Sequence, residues 1–269
     1  MAQSLTDIRQ LLTGHGLHPK KKFGQNFLHD GNQMRKILEA ADLSPGQRVL
    51  EVGPGTGALT ERLVEAGADV VAVEIDADME PILRQRLGDR ITLHIGSALV
   101  GKHVLSPDVL ALMGEGPFKL VANLPYNVAS PVLANLVTQV PAMVGAVVMV
   151  QKEVADRLVA PPGGKDYGPL GIIIQALCET AHVATLSPGC FWPPPSVASA
   201  VVGITRRNRP LTDDPAGLSA MLQRLFSKRR KQLGSILGRD AALPDGIDPQ
   251  ARPEQLSVEQ IALLARWKG

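Results

Sequence analysis

The chain is poor in cysteine and aromatic residues and has no long apolar run. Only Cys178 and Cys190 occur in 269 residues, too few for a disulfide framework or a cysteine-built zinc site. A reducing, cytoplasmic setting is the expectation that follows. No apolar stretch reaches the roughly 18 residues that a membrane-spanning helix requires, and the longest, Val144–Val150, is strand-sized. The first residues, MAQSLTDIRQLL, carry Asp7 early and lack an apolar centre, so they do not read as a secretory leader. His29, His94, His103 and His182 show no ligand spacing, and no metal is expected. Aromatics make up 3% of the chain, yet Tyr126, Phe191 and Trp192 all stand beside prolines rather than in periodic runs. Such a residue is either a loop anchor or a flat face for a planar ligand.

What is present is globular: 45% hydrophobic and 20% charged residues, in a length that suits one enzyme-sized domain with a small appendage. The net charge of +2 is unevenly spread: +2 over residues 1–44, −4 over 45–120, −1 over 121–200 and +5 over 201–269. Basic ends around an acidic middle fit a protein that grips a polyanion at its edges; a solvated C-terminal helix accounts for the counts equally well.

Short β-branched runs alternate with helical patterns. Val49–Val52, Val70–Val73, Ile91–Ile95, Leu120–Ala122 and Val144–Val150 read as buried strands, and Met79, Ile82, Leu83 and Leu87 recur at helical spacing. Repeated strand–helix units predict a doubly wound α/β sheet, mostly parallel, with helices on both faces. His182–Leu186 and Val197–Thr205 lack a strong helix between them and predict an antiparallel C-terminal end. After Thr205 the pattern is helical, including a Ser257–Gln260 capping box. The expected division is therefore residues 1–205 and a small all-α domain at 206–269.

Two constellations carry chemistry. Glu51-Val-Gly53-Pro-Gly55-Thr-Gly57 follows a strand and opens a helix, so its backbone amides can approach a ligand closely. Glu74 closes the next strand, where a carboxylate can accept both hydroxyls of an adenosine ribose. The same glycine pattern fits a dinucleotide fingerprint, and alone it does not select the cofactor. The second constellation, Asn123-Leu124-Pro125-Tyr126, follows the fourth strand at the edge where open α/β sheets bind ligands. The exocyclic amine of adenine is a poor nucleophile until it becomes more tetrahedral. The Asn123 amide oxygen and the Leu124 carbonyl can each accept one of its N–H groups, while Tyr126 offers a stacking face. Pro125 holds Leu124 extended.

From about Lys20 to Leu264 the chain resembles the small-subunit ribosomal RNA adenine N6,N6-dimethyltransferases. The resemblance rests on Lys22-Phe-Gly-Gln-Asn-Phe-Leu28, the glycine loop, Glu74-Ile-Asp76, Asn123-Leu-Pro-Tyr-Asn127, Gln151-Lys-Glu153, Phe191-Trp-Pro-Pro-Pro195 and Arg252-Pro-Glu-Gln-Leu256. It implies a Rossmann-like methyltransferase using S-adenosylmethionine, with Asn26, Leu28, Gly53, Gly55, Glu74, Ser97 and Asn123 at the cofactor. It implies catalysis through Asn123, Leu124 and Tyr126, with Phe191 stacking the base from the opposite side. The implied partner is small-subunit rRNA in a pre-30S particle, met by a monomer. Two departures stand out: the third strand ends in Ser97-Ala98 where the family has Asp-Ala, and Ser196 and Ala198 replace a usual Lys and Asp.

Lys228-Arg229-Arg230-Lys231, expected to wrap around a helix, and Lys20-Lys21-Lys22 are the candidate phosphate contacts. Two rivals follow from the same residues: a large-subunit rRNA adenine methyltransferase of the antibiotic-resistance type, and a non-catalytic assembly factor for the small subunit.

Overall fold

The computed structural model describes residues 3–101 and 104–267; His103 lies outside them. The first helix, α1 (Leu5–Gly14), begins with a reciprocal cap: the Asp7 N–H donates to the Ser4 hydroxyl, and the Ser4 N–H donates to the Asp7 carboxylate at 2.8 Å. A two-residue strand, β1 (Phe27–Leu28), leads to α2 (Gly31–Ala41), capped by the Asp30 carboxylate.

Strand–helix units follow: β2 (Arg48–Val52), α3 (Ala58–Glu65), β3 (Asp69–Glu74), α4 (Glu80–Leu87) and β4 (Thr92–Ile95). A short antiparallel ribbon, β5 (Leu99–Val100) with β6 (Val104–Leu105), precedes α5 (Pro107–Met113). Then come β7 (Phe118–Asn123), α6 (Ala129–Gln139), β8 (Met143–Gln151) and α7 (Lys152–Val159). After α8 (Pro169–Leu177) the chain forms β9 (Cys178–Leu186), β10 (Phe191–Trp192) and β11 (Ser199–Arg206). It finishes with α9 (Pro215–Phe226), α10 (Leu233–Leu237) and α11 (Val258–Arg266).

Seven strands form one sheet in the order β4-β3-β2-β7-β8-β11-β9. The pairs β3–β4, β2–β3, β2–β7 and β7–β8 are parallel. The chain runs outward from β2 through β3 to β4, then resumes at β7 on the other side of β2. That reversal is a topological switch point, and it opens a crevice at the carboxyl ends of β2 and β7. The strands can occupy a central position because both faces are apolar: Val49, Leu50 and Val70–Val73 are all 2% exposed or less. Each such valine or leucine contributes roughly 1.5–3 kcal/mol by leaving water.

The fold divides into two compact units. One contains the residues through Ala155 together with Ala181–Ile204; the other contains Asp156–Thr180 and the chain from Thr205. The expected division at residue 205 did not include Asp156–Thr180. These residues belong with the helical unit because α8 is almost wholly apolar, with Ile172, Ile173, Ile174 and Leu177 buried, and packs with α9 and α11. Cys178 is buried as the first residue of β9. Tyr167, in the glycine-rich turn before α8, is an anchor: it is 1% exposed, its hydroxyl donates to the Leu256 carbonyl at 2.9 Å, and its ring meets Phe226 edge-on. Among the described residues no helix is long and apolar enough to cross a membrane, and no cluster of His, Cys, Asp and Glu could hold a metal.

Candidate active site

The crevice at the switch point is a cleft of about 240 Å³. The carboxyl-end loops of β2, β3, β4 and β7 form one side, and the segment from Lys22 to Leu28 forms another. Asn26, Leu28, Gly53, Gly55, Glu74, Ser97, Asn123, Leu124 and Tyr126 all line it.

The loop after β2 is shaped by glycine where side chains cannot go. Gly53 and Gly55 have φ of 77° and 57°, which L side chains rarely adopt. A Cβ at Gly55 would lie 2.9 Å from the Phe27 ring, and one at Gly53 would lie 3.0 Å from Pro125. The loop therefore lies close against both the N-terminal segment and the Asn123 corner. Thr56 fixes it from below: its hydroxyl donates to the Gln3 amide oxygen at 2.9 Å, and the Gln3 amide nitrogen donates to the Thr56 carbonyl at 3.0 Å. Both residues are buried.

Two carboxyls stand in this part of the wall. Glu74 is 4% exposed and accepts the Gly55 N–H at 3.0 Å and the Asp76 N–H at 2.9 Å. Burial raises its pKa, opposed by those backbone donors. Glu51 is 1% exposed. Burial pushes its carboxyl up to about 8, with smaller influences from the Thr60 hydroxyl and the Glu74 charge.

At the end of β7 the Asn123 amide nitrogen donates to the Asn26 carbonyl at 3.1 Å. That bond selects the amide orientation and leaves Oδ1 as an uncommitted acceptor. The Leu124 N–H is held by the Met149 carbonyl at 3.0 Å, which anchors the backbone of the corner to β8. Tyr126 is half-buried, and its hydroxyl lies 2.6 Å from the Ser199 Oγ; burial raises its pKa, and the Ser199 bond opposes that. Ser97 is exposed at the cleft edge, where its Oγ accepts the Leu99 N–H at 3.1 Å.

The segment from Lys20 to Leu28 is held by a clasp that sequence reasoning missed. The Asp76 carboxylate receives the Lys20 ammonium on one oxygen and the Gln25 amide nitrogen on the other, each at 2.7 Å. The Gln25 amide oxygen accepts the Lys20 N–H at 2.8 Å. The available signal was Asp76 itself, a carboxylate two residues beyond the cofactor-type Glu74, with Gln25 inside the Gly-Gln-Asn-Phe-Leu segment.

Four expectations need correction. Phe191 does not present a face to the cleft: it is 3% exposed, its backbone pairs with Leu28, and its ring is packed in the core with Leu28 and Met34. It supports the wall from behind. Lys20 is not a free phosphate contact, because Asp76 and Asp78 neutralise it and raise its pKa. Arg229 is likewise committed, to the Glu254 carboxylate and to the Gly164 and Lys165 carbonyls. The basic run lies in the turn after α9 rather than on a helix. Lys21, Lys22, Lys228, Arg230 and Lys231 are exposed, with Lys22 Nζ 4.6 Å above the Phe23 ring.

A family model described as ribosomal RNA adenine dimethylase matches residues 16–268. The chain belongs to that family. Among curated relatives of this dimethylase, ribosomal RNA small subunit methyltransferase A of Pseudomonas aeruginosa is 40% identical over 255 residues, spanning 91% of this chain and 93% of the relative. The protein of the same name from Cutibacterium acnes is 42% identical over 272 residues, spanning 95% and 90%. Among solved structures, a dimethyladenosine transferase from Plasmodium falciparum has a TM-score of 0.74 at 25% identity, covering 88% of this chain and 95% of that one. The 23S rRNA methyltransferase ErmE has a TM-score of 0.69 at 27% identity, covering 89% and 98%.

This dimethylase is an S-adenosylmethionine-dependent methyltransferase on a Rossmann-like sheet. Its cleft fits a cofactor bearing a sulfonium: two buried carboxyls, Glu51 and Glu74, stand in the wall.

Proposed function

We propose that the protein transfers methyl groups from S-adenosylmethionine to N6 of two adjacent adenosines near the 3′ end of small-subunit rRNA, within a pre-30S particle. It acts as a cytoplasmic monomer and leaves N6,N6-dimethyladenosine. The observation that carries this reading is the fixed Asn123 amide, whose nitrogen is tied to the Asn26 carbonyl at 3.1 Å.

With Nδ2 occupied, Oδ1 accepts one N–H of the target amine, and the Leu124 carbonyl accepts the other. The amine is drawn out of conjugation, and its lone pair is aimed into the cleft. Tyr126 stacks on the base, a contact worth ~1–3 kcal/mol. Asn26, Leu28, Gly53, Gly55, Glu74 and Ser97 hold the cofactor, which supplies a methyl group on positively charged sulfur. No strong base is required, and the enzyme's contribution is alignment and fixed dipoles. A base paired in a helix cannot offer its amine in this way, so the target is unpaired or flipped. Lys21, Lys22, Lys228, Arg230 and Lys231 contact phosphates, and specificity comes from docking a structured particle rather than from a short loop sequence.

The test is incubation of the protein with labelled cofactor and unmethylated small subunits, beside Asn123→Ala. The expected result is label in N6,N6-dimethyladenosine with the unmodified protein and none with the variant, which still binds subunits. Label found in large-subunit rRNA would favour the ErmE-like activity, and subunit binding without any label would favour an assembly factor.

A further inference from the structure

Glu51 lines the cleft yet takes no part in the alignment described above. Its side chain is buried, and Oε2 has no hydrogen-bond partner among the described residues. The cations on the elements around it are committed elsewhere: Arg48 of β2 pairs with Asp69, and Arg62 of α3 with Glu65. From β3 comes Glu74, another carboxyl, already engaged by the Gly55 and Asp76 N–H groups. From α3 comes the Thr60 hydroxyl, and from β7 the neutral Asn123 amide. Lys119 of β7 points elsewhere, donating to the Ala41 and Asp42 carbonyls at 2.8 Å. Lys20 is spent on Asp76 and Asp78, and Lys22 is exposed above Phe23. The titratable side chains of the lining are Lys22, Glu51, Glu74 and Tyr126.

A carboxyl enclosed in this way, with a free oxygen and a second carboxyl nearby, is stable as the neutral acid. Burial accordingly pushes it up to about 8. A positive charge in the same cleft has the opposite effect on it. We propose that Glu51 is a proton-releasing counter-charge: it holds a proton in the free enzyme and gives it up to solvent when a cationic cofactor fills the cleft. The inference rests on S-adenosylmethionine being the ligand of this cleft.

The proton moves from the Glu51 carboxyl to buffer, and no covalent bond to the cofactor is involved. Methyl transfer leaves sulfur neutral, which removes the charge that kept Glu51 ionised. Glu51 then recovers a proton from solvent, and the demethylated product is held less tightly than the cofactor. Because linkage is reciprocal, the preference for cofactor over product increases with pH up to about 8.

The experiment is calorimetric titration of the full chain with S-adenosylmethionine and with S-adenosylhomocysteine, in two buffers of different ionisation enthalpy, from pH 6 to 8. Both ligands carry the same amino group, so its titration contributes to both. The expected result is that the methylated ligand releases roughly half to one proton more than the demethylated one at pH 7, and its affinity increases about three- to tenfold per pH unit. In Glu51→Gln this extra proton and slope disappear. Infrared difference spectra of the unmodified protein lose a protonated-carboxyl band on adding S-adenosylmethionine, a readout that does not need the variant to fold. Equal proton counts for the two ligands in the unmodified protein, with no such infrared loss, overturn the proposal and leave the cofactor assignment intact. Failure of S-adenosylmethionine to bind at all overturns both.

Discussion

Removing the Gln25 side chain tests whether the N-terminal segment is held by local bonds or by the core. Gln25→Ala deletes the 2.7 Å bond to Asp76 Oδ2 and the 2.8 Å bond from the Lys20 N–H. A hydrogen bond to a charged acceptor is worth about 1.5–3 kcal/mol and a neutral one about 1 kcal/mol. Asp76 is 3% exposed, so the freed oxygen recovers little from water. The segment should therefore open more easily by about 2–3 kcal/mol, a factor of roughly 30–140 at 1.4 kcal/mol per decade. Hydrogen exchange reads this directly. The Gly24 N–H, bonded to the Lys21 carbonyl at 3.0 Å, and the His29 N–H, bonded to the Cys190 carbonyl at 3.1 Å, are the reporters. Their exchange should accelerate by that factor, while amides of β2 and β7 keep their protection. A change below threefold at Gly24 and His29 would refute the clasp. Equal acceleration in the central strands would refute its local character.

Three further outcomes are expected. The folded-state pKa of Glu51 lies above its unfolded value, so its contribution to stability is complete below pH 4.5 and is lost as pH rises to about 8. Urea unfolding should show Glu51→Gln gaining a few kcal/mol over the unmodified protein at pH 9 and little at pH 5; parallel pH profiles would contradict this. Tyr126→Phe removes the 2.6 Å bond to Ser199, which is fully buried. It should cost about 1–2 kcal/mol of stability while retaining at least a tenth of kcat, since the ring face remains; loss of all activity in a folded variant would mean the hydroxyl itself reacts. Lys228→Ala with Lys231→Ala should leave the melting temperature unchanged and flatten the salt dependence of rRNA binding. Arg229→Ala should instead lower stability by about 1 kcal/mol through the stranded Glu254 carboxylate; identical behaviour of the two changes would undo the distinction.

The fold was legible wherever local pattern and burial agree. Val70–Val73 are apolar on both faces, and Val49, Leu50 and Val52 flank the single buried carboxyl of Glu51, as suits central parallel strands; the glycine loop follows where the sheet ends. The Asn123 corner was legible because proline and the strand end both fix the local backbone. Pairing across the chain was not. Gln25 and Asp76 are 51 positions apart, and nothing at either position announces the other. The same blindness affected charge: Lys20 and Arg229 count as basic residues in sequence, yet each is committed to carboxylates that only folding brings near. Phe191 misled because an aromatic beside prolines suggests a loop, whereas pairing of β10 with β1 turns its ring into the core. Asp156–Thr180 went unassigned to the helical unit because membership depends on which apolar helix meets which, information no window of residues contains.

The reciprocal Gln3–Thr56 bonds have a practical corollary. They fasten Gln3 to the glycine loop after β2, so a change beside Gln3 is expected to alter ligand affinity from outside the cleft.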